Sequence, residues 1–123
     1  MQITEEKTTG LNVITSYGEG YISVSEKPYR HSLIISPNQL ITDWKITEPA
    51  QLSYDSLIVI ENWEPDIVLL GTGPHQIFPE SDLMFRFLQQ GIGCEIMDSA
   101  AACRTYNILM SESRKVVAAL LTP

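Results

Sequence analysis

Gly71-Thr72-Gly73 closes an apolar run, His75 follows it, and Asp98-Ser99 opens a later helical pattern. These are the residue types and spacings most able to do chemistry. Glycines at the carboxyl end of a buried strand permit a tight turn, and such strand ends are where open α/β sheets hold ligands. A dinucleotide fingerprint needs a third glycine three positions on, where Gln76 stands. It also needs a helix at once, whereas Pro74 and Pro79 hold the chain in a loop to about residue 80. No P-loop lysine follows. The loop is a candidate ligand site without a nucleotide signature.

Metal ligation would show as two histidines a helical turn apart or as a Cys-x-x-Cys pair. His31 and His75 lie in separate segments, and Cys94 and Cys103 fall in segments that read as strand and helix. No metal site, cofactor or disulfide framework is expected. No Gly-x-Ser-x-Gly elbow is present and no serine or cysteine has an evident histidine partner, so no catalytic residue is assigned. Cys103 reads as a buried, inert thiol. In a small-molecule or weak-enzyme reading, the cleft comprises Gly71, Thr72, Gly73, His75, Asp98 and Ser99. Thr72 and Ser99 would orient the ligand, Arg104 would pair with an acid, and Asp98 would be the general base. Asp98 has a second reading as a helix N-cap, whose carboxylate satisfies the first amides and argues against an anion there.

The helix that Asp98 or Ser99 opens, to about Met110, has two sides. At 100° per residue, Ala102, Cys103, Tyr106, Leu109 and Met110 share an arc of about 120°, the core face. Arg104, Asn107 and Ile108 point elsewhere. A small, partly apolar, Arg-bearing face is one that protein contacts use, so these three form a candidate partner face.

The elements that must position these residues follow from periodicity. Residues 12–17 and 21–25 alternate as strands around a Gly18-Glu19-Gly20 hairpin connection. Lys27-Pro28 and Pro37-Asn38 read as turns flanking strands 32–36 and 40–44, an antiparallel meander over residues 1–50. Ser53 can cap a helix to about Asn62, with Leu52 stapled on Leu57, although Ile58-Val59-Ile60 is rich in β-branching. Strands at 66–70, 92–97 and 116–121 then alternate with helices at about 83–90 and 98–110, with Gly91 as a helix C-cap. Helix–strand alternation implies parallel strands and crossovers. The expectation is one α/β domain over residues 1–123, with the meander at 1–50 and the helix–strand alternation at 51–123.

Eight Lys plus Arg against fifteen Asp plus Glu give a net charge of −7, which disfavours a phosphate backbone and hence nucleic acid. The longest apolar run is Val116 to Leu121, far short of the roughly 20 residues of a membrane helix. The opening MQITEEKTTG has neither a secretory nor a mitochondrial plan. A soluble, cytoplasmic protein without membrane insertion is expected.

The run Glu95-Ile96-Met97-Asp98-Ser99-Ala100-Ala101-Ala102-Cys103-Arg104-Thr105-Tyr106-Asn107-Ile108-Leu109, with Glu112, Arg114 and Val117-Ala118-Ala119-Leu120, resembles the closing motif of a widespread domain-of-unknown-function family. That family includes the mitochondrial assembly factor 3 of respiratory complex I and the adipogenesis-associated domain proteins. Gly71-Thr72-Gly73 and the opening Ile14, Tyr17, Gly20, Tyr21 and Ile22 fit it too. The resemblance implies a three-layer β+β/α fold and partners in assembly or regulation, with no reaction. Ser113 departs from it, standing where members usually carry Gly, which weighs against a left-handed turn there but not against the fold. Two functions follow as expectations. The first is a non-enzymatic protein-interaction or assembly-type factor using the Asp98 helix and the Gly71–His75 loop; the second is the small-molecule cleft above.

Overall fold

A computed structural model describes residues 10–79 and 82–123. The opening segment before Gly10, read above as lacking a targeting plan, lies outside the described residues.

Three strands, β1 (Ile14–Gly18), β2 (Tyr21–Val24) and β3 (Lys27–Tyr29), form one antiparallel sheet. Glu19-Gly20 joins the first pair, with Gly20 at φ +76°. The second turn is not Lys27-Pro28, as the sequence suggests, but Ser25-Glu26, both with positive φ. Left-handed geometry at both central residues matches the strand twist, and Pro28 falls inside the edge strand β3, where a missing N–H costs no ladder bond. The meander also divides. Strands β4 (Leu33–Ile35) and β5 (Leu40–Ile41) leave the first three and join β6 (Ile67–Thr72), β7 (Gly93–Met97) and β8 (Val116–Leu121) in a five-stranded sheet of order β5-β4-β8-β6-β7. β6 pairs in parallel with both β7 and β8, while β4 runs antiparallel to β8.

Every residue of β8 is buried, and so are the last five of β6. A strand apolar on both faces needs a cover on each. On one face, Leu69, Ala118 and Leu120 pack with Ile14, Ile22 and Val24 of the small sheet and with Ala102, Cys103 and Tyr106. On the other, Val68, Leu70 and Ala119 meet Leu57, Ile60, Leu83 and Phe87. The expected three-layer α/β architecture is therefore present, with the mixed sheet in the middle.

The segment expected as an α-helix from Ser53 is a 3-10 helix, Asp55–Trp63. Tyr54, Leu57 and Ile60 are buried and Trp63 half-buried, each three residues apart. Three residues per turn stack that series on one side, whereas an α-helix would swing it by about 60° per step away from the core. Ser53 still caps: its Oγ accepts from Ser56 N–H (3.2 Å), and Ser56 Oγ accepts from Ser53 N–H (3.0 Å).

Helix α1 (Leu83–Gln89) ends with Gly91 at φ +78°, and helix α2 (Ser99–Ser111) begins at Asp98. The exit from α2 is a Schellman motif. Ser113 N–H donates to Met110 C=O and Arg114 N–H to Leu109 C=O, both at 3.0 Å, with Ser113 at φ +64°. Serine thus keeps the left-handed turn. The helix termination is worth more than the strain at one residue. Ser113→Gly is expected to relieve that strain and raise unfolding stability by about 1 kcal/mol, read as a shift of the urea midpoint at unchanged slope.

Candidate functional site

β6 feeds α1 on one face of the sheet and β7 feeds α2 on the other, so the crevice of this α/β sheet lies between the carboxyl ends of β6 and β7. The expected ligand residues all gather there, and the chain itself fills the space. Ser99 N–H donates to Gly73 C=O (2.8 Å) while Gly73 N–H donates to Ser99 Oγ (2.7 Å). Thr72 Oγ1 donates to His75 C=O (2.6 Å), lies 3.3 Å from Met97 C=O and accepts from Ile77 N–H (3.0 Å). Gln76 Nε2 donates to Ile96 C=O (2.9 Å).

The two glycines do different jobs. Gly73, at φ +94°, supplies the turn. Gly71 lies in the strand, and a Cβ there would stand 2.9 Å from Ser99 Oγ and 3.0 Å from Ser99 Cα. Its role is close approach of helix to strand, not the turn the sequence reading gave it. Asp98 is an N-cap in extended backbone, its Oδ1 accepting from Ala101 N–H at 2.8 Å. Gly71, Thr72, Gly73 and Ser99 are buried, and His75 is exposed beyond them. The open space nearby, a cleft of about 440 Å³, touches only Gly73 and Asp98 of the expected set; Tyr17, Glu19 and Pro123 are among the others that line it. Those three come from the hairpin and the last residue, which no local pattern connects to the loop.

On α2, Asn107 grips strand β1. Its Oδ1 accepts from Ile14 N–H (3.0 Å) and its Nδ2 donates to Ile14 C=O (2.7 Å), so the amide pairs with the outer edge of β1 as a neighbouring strand would. Tyr106 Oη donates to Asn12 C=O (2.8 Å), and Arg104 donates to Tyr17 Oη (2.9 Å). That bond raises the Arg104 pKa further above its ordinary value. Of the three residues of the expected partner face, Asn107 is held within the fold, Arg104 is exposed but engaged, and Ile108 is left 57% exposed.

Burial pushes the Cys103 thiol up to about 12, opposed in part by Arg104, and burial with Glu95 pushes Cys94 to about 12. Both thiols are protonated at neutral pH and neither is an activated nucleophile. Burial likewise raises the Tyr106 phenol. Among the described residues no group of three His, Cys, Asp or Glu could hold a metal ion.

The largest apolar exposure lies where the sequence reading placed no site. Phe78 is 61% exposed, Phe85 60% and Leu88 67%, joined by Ile77 and Met84 on and before α1. A second open space, of about 370 Å³, lies at the other end of the molecule, where α2 leaves and β8 begins. The only available signal for the first was the run Leu83 to Leu88, too apolar for one buried stripe.

A model of the family described as protein of unknown function (DUF498/DUF598) matches residues 14–121. The chain belongs to that family. Its sequence is 31% identical to the "13 kDa major membrane protein" of Francisella tularensis subsp. holarctica, covering 94% of this chain and 95% of that protein. It is 26% identical to the NADH dehydrogenase [ubiquinone] 1 alpha subcomplex assembly factor 3 of Danio rerio, covering 100% of this chain and 71% of that one. The crystal structure of a Bordetella parapertussis protein superposes with a TM-score of 0.85 at 38% identity, over 92% of this chain and 97% of that one. No helix among the described residues is long and apolar enough to cross a membrane.

Two outcomes are expected. Asn107→Ala leaves both polar groups of Ile14 without their partner and costs about 1–3 kcal/mol by urea unfolding, while Ile108→Asp stays within about 0.5 kcal/mol. The thiols act through pH. In the folded chain they hold their protons to about 12, and in the unfolded chain they lose them near 8.5, so the stability they contribute is complete below about 8.5 and declines as pH rises toward 12. Cys94→Ala and Cys103→Ala should each flatten the fall in melting temperature between about pH 9 and 11.

Proposed function

We propose that this chain is a non-enzymatic protein-binding factor of the assembly type, with the apolar surface of α1 and its preceding loop as the contact. One observation carries the reading: Ile77, Phe78, Met84, Phe85 and Leu88 stand in water within a single stretch of chain, two of them aromatic. Contiguous apolar exposure rimmed by polar groups marks interaction surfaces, and aromatic anchors dominate their energetics. The Gly71–His75 loop, expected to take part, leads straight into this stretch, and Ile108 with Arg104 offers a smaller second contact on α2. The assembly factor of Danio rerio supports the same direction by its name. A cytoplasmic location belongs to this proposal. The small-molecule reading at Asp98 and Ser99 has less support, because the polar groups it would use are engaged with backbone.

The test is a comparison of variants in affinity capture from the native cell. Phe85→Ser with Leu88→Ser is expected to keep the melting temperature while weakening partner association by about 2 kcal/mol or more, roughly thirtyfold. Ile108→Asp with Arg104→Glu should weaken it less. If the α1 variant retains every partner at unchanged affinity, the reading is wrong. If the same variant instead abolishes binding to phospholipid vesicles and no protein is captured, the patch is a lipid contact and the reading is again overturned.

A further inference from the structure

The open groove at the far end of the molecule has a different chemistry from the rest of the surface. In a chain of net charge −7, the charged side chains that line it among the described residues are two cations, Arg114 and Lys115. Glu64, Asp66 and Glu112 are close in sequence, yet none lines the groove. Among the described residues, the side chains of Arg114, Lys115 and Trp63 have no hydrogen-bond or ion-pair partner. Guanidinium, ammonium and indole N–H can only donate. Two exposed cations with no partner of their own suit a ligand that brings negatively charged acceptor oxygens.

The rest of the wall is mixed, with Leu11, Met110 and Val117 apolar and Ser36, Asn38 and Gln39 polar. The groove has a volume of about 370 Å³, within the range that holds a small organic molecule and well beyond what a bare oxyanion needs. The carbonyl end of α2 reaches the groove and would oppose an anion, but its carbonyls at Ile108, Leu109 and Met110 already accept bonds from Ser111, Glu112, Ser113 and Arg114. The left-handed turn at Ser113 is what swings Arg114 and Lys115 out of the helix and toward the groove.

We propose that this groove binds an amphipathic organic anion, with one carboxylate or phosphate head on Arg114 and Lys115 and an apolar body along Leu11, Met110 and Val117. The site is separate from the α1 surface and stands whether or not that surface binds a protein.

Calorimetric titration of the full chain tests it, with decanoate and decyl phosphate below their micelle concentrations as probes and inorganic phosphate and decanol as controls. One decanoate or decyl phosphate per chain is expected, weakening as salt is raised. Decanol and inorganic phosphate should each bind at least about tenfold more weakly, since each lacks half of the recognition. Arg114→Gln with Lys115→Gln should lose at least about tenfold in decanoate affinity at unchanged melting temperature. Should that double variant fold poorly, Lys115→Gln alone and the salt dependence of the unmodified chain decide the same point. Phe85→Ser with Leu88→Ser should leave decanoate binding intact. The proposal is overturned if neither amphipathic anion binds, if inorganic phosphate or decanol binds as tightly, if the charge variants bind as the unmodified chain does, or if the α1 variant abolishes binding.

Discussion

Helix α2 begins on bare backbone. Gly71 has no side chain, so Ser99 sits directly against strand β6, and the Ser99–Gly73 pair of hydrogen bonds locks the helix start to the strand end. Much else depends on this contact. It sets the height of α2 over the sheet, and that height lets Ala102, Cys103 and Tyr106 reach Leu69 and Leu120. It also brings Asn107, two turns on, to the edge of β1. That amide, the Arg104–Tyr17 bond and the apolar cluster beneath them tie the small sheet to the rest of the molecule.

The same contact explains why the crevice of an α/β sheet is not the natural place for a ligand here. Gly73, Thr72, Asp98 and Ser99 have the right identities for a binding loop, but each is engaged with neighbouring backbone. A buried hydroxyl or amide that already has its partner gains little from a ligand and loses a bond if it turns away. Side chains without such engagement lie elsewhere: the apolar residues of α1, and Arg114 and Lys115 in the groove under the end of α2.

Those two surfaces differ in kind. The α1 surface presents exposed apolar side chains, two of them aromatic, which suits a partner with its own apolar face. The groove is concave, cationic in an acidic protein, and small. They share no residue: the groove lies where β6 and β8 begin, and the α1 surface runs along the crossover from β6 to β7.

The long periodic segments were legible in the sequence. Asp98 as cap, the core arc of α2, the parallel strands and the Gly20 hairpin all follow from patterns within one segment, and the closing motif from Glu95 to Leu109 pointed to the family. Even the 3-10 helix was present as the period-three series Tyr54, Leu57, Ile60 and Trp63, masked by the commoner α-helical period. What the tertiary structure alone decided is everything that joins segments far apart in the chain. That β4 and β5 pair with β8, that Gly71 serves approach rather than turning, that Asn107 holds Ile14, and that Trp63, Arg114 and Leu11 share one groove are such facts. The physical reason is one of range. Caps, turns and amphipathic faces are satisfied by neighbours a few residues away and leave a periodic trace, whereas a polar side chain reads the same in sequence whether water, a ligand or a distant strand will answer it.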